Sequence, residues 1–149
     1  MIHNIRYRLF VYKDEDEEEL IGGLKNILPT AKVESEIAEG MMEDKIIILS
    51  GIIDKKKETK EFLKNLLAMD KEILSKLAND LEKKTDKNGN LFLRFSKTAA
   101  LEEKWEICDS GDSIHLKIKI AAYPAKKEVA INLLNEALNE VLWFKSQRK

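Results

Sequence analysis

Strict alternation of apolar and polar side chains in SIHLKIKIAAY, residues Ser113–Tyr123, commits this chain to a sheet with one buried face. Successive residues of a strand leave opposite faces. Ile114, Leu116, Ile118 and Ile120 therefore point one way, and His115, Lys117 and Lys119 the other. The same period recurs in Ile2–Tyr12, where Ile5, Tyr7, Leu9 and Val11 alternate with Arg6, Arg8 and Phe10. It recurs again in Asn90–Lys97, where Leu91, Leu93 and Phe95 alternate with Phe92 and Arg94. KIIILSGII, apolar on both faces, predicts a central strand. Ala31–Glu39 reads as a strand with Val33 and Ile37 inward, Gly40–Asp44 as a turn, and LEEKWEIC as a weakly patterned strand.

Between these stretches the apolar period changes to that of helices. Leu20, Ile21, Leu24, Ile27 and Leu28 stripe a first helix, which Asp14 is placed to cap and Pro29 to stop. Phe62, Leu63, Leu66 and Leu67 stripe a second, and Ile73, Leu74, Leu77, Ala78 and Leu81 a third, capped by Asp70. A last helix spans Ala125–Phe144, before a basic, frayed KSQRK tail. Half-apolar strands alternating with amphipathic helices predict an α+β fold: a two-layer sandwich, its sheet mostly antiparallel, with helices on one face. One domain over residues 1–149 is expected, with Leu9, Val11, Ile47, Leu93, Phe95, Leu116 and Ile118 beneath the helices.

Charge is partitioned in a way the net value of −1 conceals. Ile2–Lys13, Asn90–Lys97 and Ser113–Ala122 hold seven Lys and Arg residues and no Asp or Glu, so the remainder of the chain is acidic. The open face would present Arg6, Arg8, Phe10, Phe92, Arg94, His115, Lys117 and Lys119, with Lys97 ending its strand. Cations neutralise phosphates and exposed rings stack on unpaired bases, so such a face suits RNA. A solvated sheet face with lysines guarding its edges has the same pattern, and both readings stay open. Lys126 and Lys127 stand in the first turn of the last helix, where the dipole disfavours cations unless a phosphate is bound there; Glu128 offsets them otherwise.

Nothing in the sequence supports catalysis or a cofactor. The acidic run Asp14–Glu19 reads as helix capping, and His3, Cys108 and His115 are too scattered for a metal site. There is no glycine-rich phosphate loop and no nucleophile elbow. One cysteine, no membrane-length apolar run and no signal-peptide layout lead to the expectation of a cytoplasmic protein.

At TDKNGNLFLRFSKTAA and IKIAAYPAKKE the chain resembles a small archaeal family of RNA-binding proteins whose members are often labelled as exosome subunits. The resemblance runs from the first strand to Leu142. Its two motifs map onto Asp86, Gly89, Phe92, Arg94, Lys97 and Ala100, and onto Tyr123, Pro124, Ala125 and Lys126. It implies a fold similar to the ribosomal protein that binds 5S rRNA, RNA as partner, and a link to RNA processing or degradation. The chain departs from the family pattern at Lys13–Asp16, at Gly40–Asp44 and at Leu101–Glu103. The leading expectation is a non-catalytic RNA-binding protein using the open face and the last helix start. The alternative is a protein-interaction or homodimerisation module that docks through the sheet face or edge.

Overall fold

The computed structural model describes residues 1–39 and 45–147; the expected turn at Gly40–Asp44 and the last two residues of the tail lie outside them. The elements run β1 (Ile2–Val11), α1 (Glu17–Ile27), β2 (Glu34–Glu39), β3 (Lys45–Ile53), α2 (Lys56–Leu67), α3 (Lys71–Lys84), β4 (Asn90–Ser96), α4 (Lys97–Leu101), β5 (Ser113–Ile120) and α5 (Lys127–Gln147). The five strands form a sheet in the order β2-β3-β1-β5-β4. β3 is antiparallel to β2 and to β1. Ala121 N–H donates to Met1 O and Ile120 N–H to Gly89 O, which joins the end of β5 to the starts of β1 and β4, again antiparallel. The fold is the α+β sandwich that the periodicity predicts. Alternate residues of β1, β4 and β5, among them Leu9, Leu93, Phe95, Leu116 and Ile118, are buried on one face.

Two compact units divide the chain: Met1–Asn4 with Asp54–Phe92 and Ile118–Lys149, and Ile5–Ile53 with Leu93–Lys117. In the first unit α3 packs against α5, burying Leu74, Leu77 and Leu81 and Ala130, Leu134 and Leu138. An Asx turn follows α3: Asp86 Oδ1 accepts from the N–H groups of Asn88 and Asn90 at 3.0 and 2.9 Å. Gly89 takes a φ of 80° there, which a side chain would strain. In the second unit α1 packs against α4. Asn26 Nδ2 donates to Ala100 O at 2.7 Å, Trp105 Nε1 donates to Asn26 O at 3.2 Å, and the Trp105 ring meets Phe95 edge-on. Tyr7 faces Gly51 in the β1–β3 register, and its hydroxyl donates to Lys32 O and accepts from Lys32 N–H. A Cβ on Gly51 would overlap both the Tyr7 hydroxyl and the Lys32 carbonyl.

Several expectations are corrected. The cap of α1 is Asp16, which accepts from Glu18 N–H at 3.0 Å, and not Asp14. Asp70 precedes α3 without a side-chain cap bond. Ile37 is 65% exposed and Ile47 only half-buried: β2 is an edge strand, and alternation tells which face a residue takes without telling how well that face is covered. LEEKWEIC is no strand. Ser96 Oγ accepts from Ala99 N–H and starts α4, which ends at Leu101, and what remains of the expected strand is an isolated bridge from Ile107 to Phe95. α5 starts two residues later than expected and continues through Lys145–Gln147.

Candidate nucleic-acid interface

Within the second unit, β1, β5 and β4 are neighbours, and their even or odd register puts Arg8, His115 and Arg94 on the face opposite the core. Each is flanked along its strand by buried residues: Tyr7 and Leu9, Ile114 and Leu116, Leu93 and Phe95. The charges of Arg94 and Arg8 both act on the His115 imidazole. With burial as the largest cause, they hold it below the ordinary histidine range; Asp112 opposes them. The Arg8 guanidinium lies over the Phe10 ring, 5.4 Å from its centroid, and Phe10 is followed on the same face by Tyr12, the rings 6.3 Å apart. Arg6 and Lys117 extend the same strands and are exposed. Among the described residues, no carboxylate forms an ion pair with Arg6, Arg8, Arg94 or Lys117.

The β1–β3 and β2–β3 registers complete this face in a way the strand patterns did not show. Ile52 stands opposite Arg6, Ser50 opposite Arg8 and Ile48 opposite Phe10, while Glu34 and Glu36 follow on β2 beside Ser50 and Ile48. The face thus grades from basic on β4, β5 and β1, through apolar on β3, to acidic at the β2 edge. Reading KIIILSGII as a doubly buried strand hid the isoleucine stripe, and Ile52 is exposed.

Lys97 leaves the expected set. It begins α4 with its side chain 5% exposed. Its Nζ donates to Phe10 O at 2.8 Å, Glu15 Oε1 at 2.8 Å and Asp112 Oδ2 at 2.7 Å, and it lies over the Tyr12 ring. Lys97 joins the expected set as the last residue of the stretch Asn90–Lys97 and through the family motif, although alternation would turn it inward with Leu93 and Phe95. In the folded chain this ammonium has three oxygen partners and none of its donors is left for a phosphate.

The remaining expected residues belong to the first unit. Phe92 is 43% exposed on β4. Lys119 is half-exposed and donates to Asn88 O. Lys126 is exposed just before α5, and its own N–H is used by Pro124 O at 2.8 Å. Lys127, the first residue of α5, pairs with Glu82 at 2.8 Å. The carboxylate that answers Lys127 is thus on α3, where Glu128 was the expected neighbour. Tyr123, in the Tyr-Pro-Ala-Lys stretch, is 90% exposed, a ring open to stacking that the sequence pattern does not reveal, because a lone Tyr after a strand carries no periodic signal.

The acidic run has structural uses: Asp16 caps α1, Glu15 holds Lys97, and Glu17 accepts from Ser35 Oγ at 3.1 Å. Among the described residues, no group of three His, Cys, Asp or Glu is placed to hold a metal ion, and no helix is long and apolar enough to cross a membrane.

Proteins of related sequence and fold are found in archaea. The RNA-binding protein PAB1135 of Pyrococcus abyssi is 32% identical over 143 residues, which covers 91% of this chain and 93% of that one. The structure of Mth689, a DUF54 protein from Methanothermobacter thermautotrophicus, is 46% identical with a TM-score of 0.83, covering 93% of this chain and 98% of that one. The DUF54 protein SSO0741 from Sulfolobus solfataricus shares the fold at 20% identity, with a TM-score of 0.72 over 95% of this chain and 98% of that one. A family model described as RNA binding matches residues 4–120, and with this match and the Pyrococcus relative the chain belongs to that family.

Proposed function

We propose that the chain binds single-stranded RNA without catalysis, through Arg6, Arg8, Arg94, His115 and Lys117 in its second unit and through Phe92, Lys119 and Lys126 in its first. The observation that carries this reading is the convergence of Arg8, Arg94 and His115 from three neighbouring strands with no carboxylate pairing either arginine among the described residues. In a chain with 36% charged residues, the stretch of this face on β4, β5 and β1 carries cations and no carboxylate. Glu34 and Glu36 stand apart from it on the β2 edge, whereas an incidental solvated surface would intersperse the signs. Family membership supports RNA as the anion. The exposed Phe92 ring and the Phe10 ring under Arg8 favour unpaired bases, since a duplex hides its base faces from a sheet.

Attachment to an RNA-processing or RNA-degrading assembly in the cytoplasm is the extension that the family resemblance supports. Fluorescence titration with single-stranded and hairpin RNA at two salt concentrations tests the core reading. Tighter binding of the single strand, weakening with salt, is expected. Binding that ignores salt, or none at all, would refute it, and a mass that grows with protein concentration in the absence of RNA would favour the docking module.

A further inference from the structure

We propose that Arg8, His115 and Arg94 form one subsite for a backbone phosphodiester, and that the imidazole takes up a proton as the phosphate enters. The inference deepens the RNA-binding reading and rests on it. β1, β5 and β4 lie side by side, and Arg8, His115 and Arg94 alternate there with buried residues on the face opposite the core. Two guanidiniums and a half-buried imidazole thus crowd like charge onto one part of the sheet. The arginines cannot discharge, so the histidine is the group that gives way: burial, then Arg94, then Arg8 favour its neutral form. Asp112 is the acidic group that acts on the ring in the opposite sense, and its Oδ2 is held 2.7 Å from the Lys97 ammonium, which takes up part of its charge. Arg8 is steadied against the sheet by the Phe10 ring beneath it.

An incoming phosphate reverses this balance. Its charge offsets the guanidinium field at the ring, and a protonated imidazole adds a charge-assisted hydrogen bond to a phosphate oxygen. The proton comes from solvent, so the bound state holds one proton more than the free state between the free and bound titration ranges. By linkage, affinity falls as pH rises through that window, by at most about tenfold per pH unit for a single proton.

The test uses a rhodamine-labelled oligouridylate with a 5′-hydroxyl end, in which neither the bases nor the diesters titrate between about pH 5.5 and pH 8. Anisotropy titrations at fixed ionic strength follow wild type and His115→Gln. NMR follows the two histidine rings, with His3→Gln to assign them. Wild-type affinity should fall several-fold across the range. His115→Gln should stay near the weaker, high-pH wild-type level throughout, and the His115 signal should titrate higher when RNA is bound. RNA binding with an unmoved His115 titration, or with the same pH slope in His115→Gln, overturns the subsite and leaves the RNA reading intact. Absence of RNA binding at every pH overturns both.

Discussion

Lys97 and Arg94 lie three residues apart and meet opposite fates. Arg94 remains half-exposed with no acidic partner among the described residues, whereas the Lys97 ammonium is enclosed by Phe10 O, Glu15 and Asp112. Removing a buried charge strands its partners, although Glu15 and Asp112 keep part of their solvation, at 30% and 41% exposure. Lys97→Met is expected to cost about 1–3 kcal/mol of stability in urea denaturation, and to leave the salt dependence of RNA binding unchanged. Arg94→Ala and Arg8→Ala should do the reverse. Each should cost little stability, and each should flatten the slope of log K against log salt by about 0.7, one phosphate contact on a single strand. A wild-type slope in Arg94→Ala would remove that residue from the interface.

At the scale of the elements, β3 and β4 show how one strand can serve two layers. β3 passes Gly51 under the Tyr7 hydroxyl, and the Tyr7–Lys32 bonds tie the segment before β2 to β1. Gly51→Ala must displace backbone or the Tyr7 ring, neither of them a flexible chain end, and a loss of about 1–3 kcal/mol is expected from the shift in its urea midpoint. On β4, Leu91, Leu93 and Phe95 supply the core while Phe92 faces out. Phe92→Ala is therefore expected to change stability by no more than about 0.5 kcal/mol. If a base stacks on that ring, the same substitution costs about 1–3 kcal/mol of RNA affinity with little change in salt slope. A strong loss of stability in Phe92→Ala would contradict the outward assignment.

For the molecule as a whole, pH acts on stability through groups that include Glu15 and His115, whose shifts have opposite origins. Burial pushes the Glu15 carboxyl up, but hydrogen bonds from Lys97 and the Tyr12 N–H, with the Lys97 charge, outweigh it and leave Glu15 below the ordinary glutamate range. Its contribution is full above that range and is lost as pH falls through the lower folded value. His115 is also depressed, and there the unfolded chain binds the extra proton. Stability accordingly begins to fall once pH drops below the ordinary histidine range and continues to fall until the folded ring protonates. Urea midpoints against pH should show both regions; His115→Gln should level the upper one and Glu15→Gln the lower.

Much of this arrangement could be read from the chain before folding. Whether Leu93, Leu116 or Arg8 faces in or out depends on the pleat of its own strand, a local property of period two, and these residues lie as the alternation predicts. Helix stripes such as Leu74, Leu77 and Leu81 are local in the same sense. Contacts between segments far apart in sequence decided the rest. The strand order set Arg8, His115 and Arg94 side by side, the edge position of β2 left Ile37 uncovered, and β3 brought an isoleucine stripe to the open face. Lys97 is the sharpest case: alternation carries it inward with Leu93 and Phe95, but its partner Glu15 is 82 residues away, so nothing near it in sequence names the oxygens that enclose it. Local geometry determined the facing of each side chain, and only the assembled sheet decided which charges would be neighbours, because electrostatic partners are chosen by distance in space.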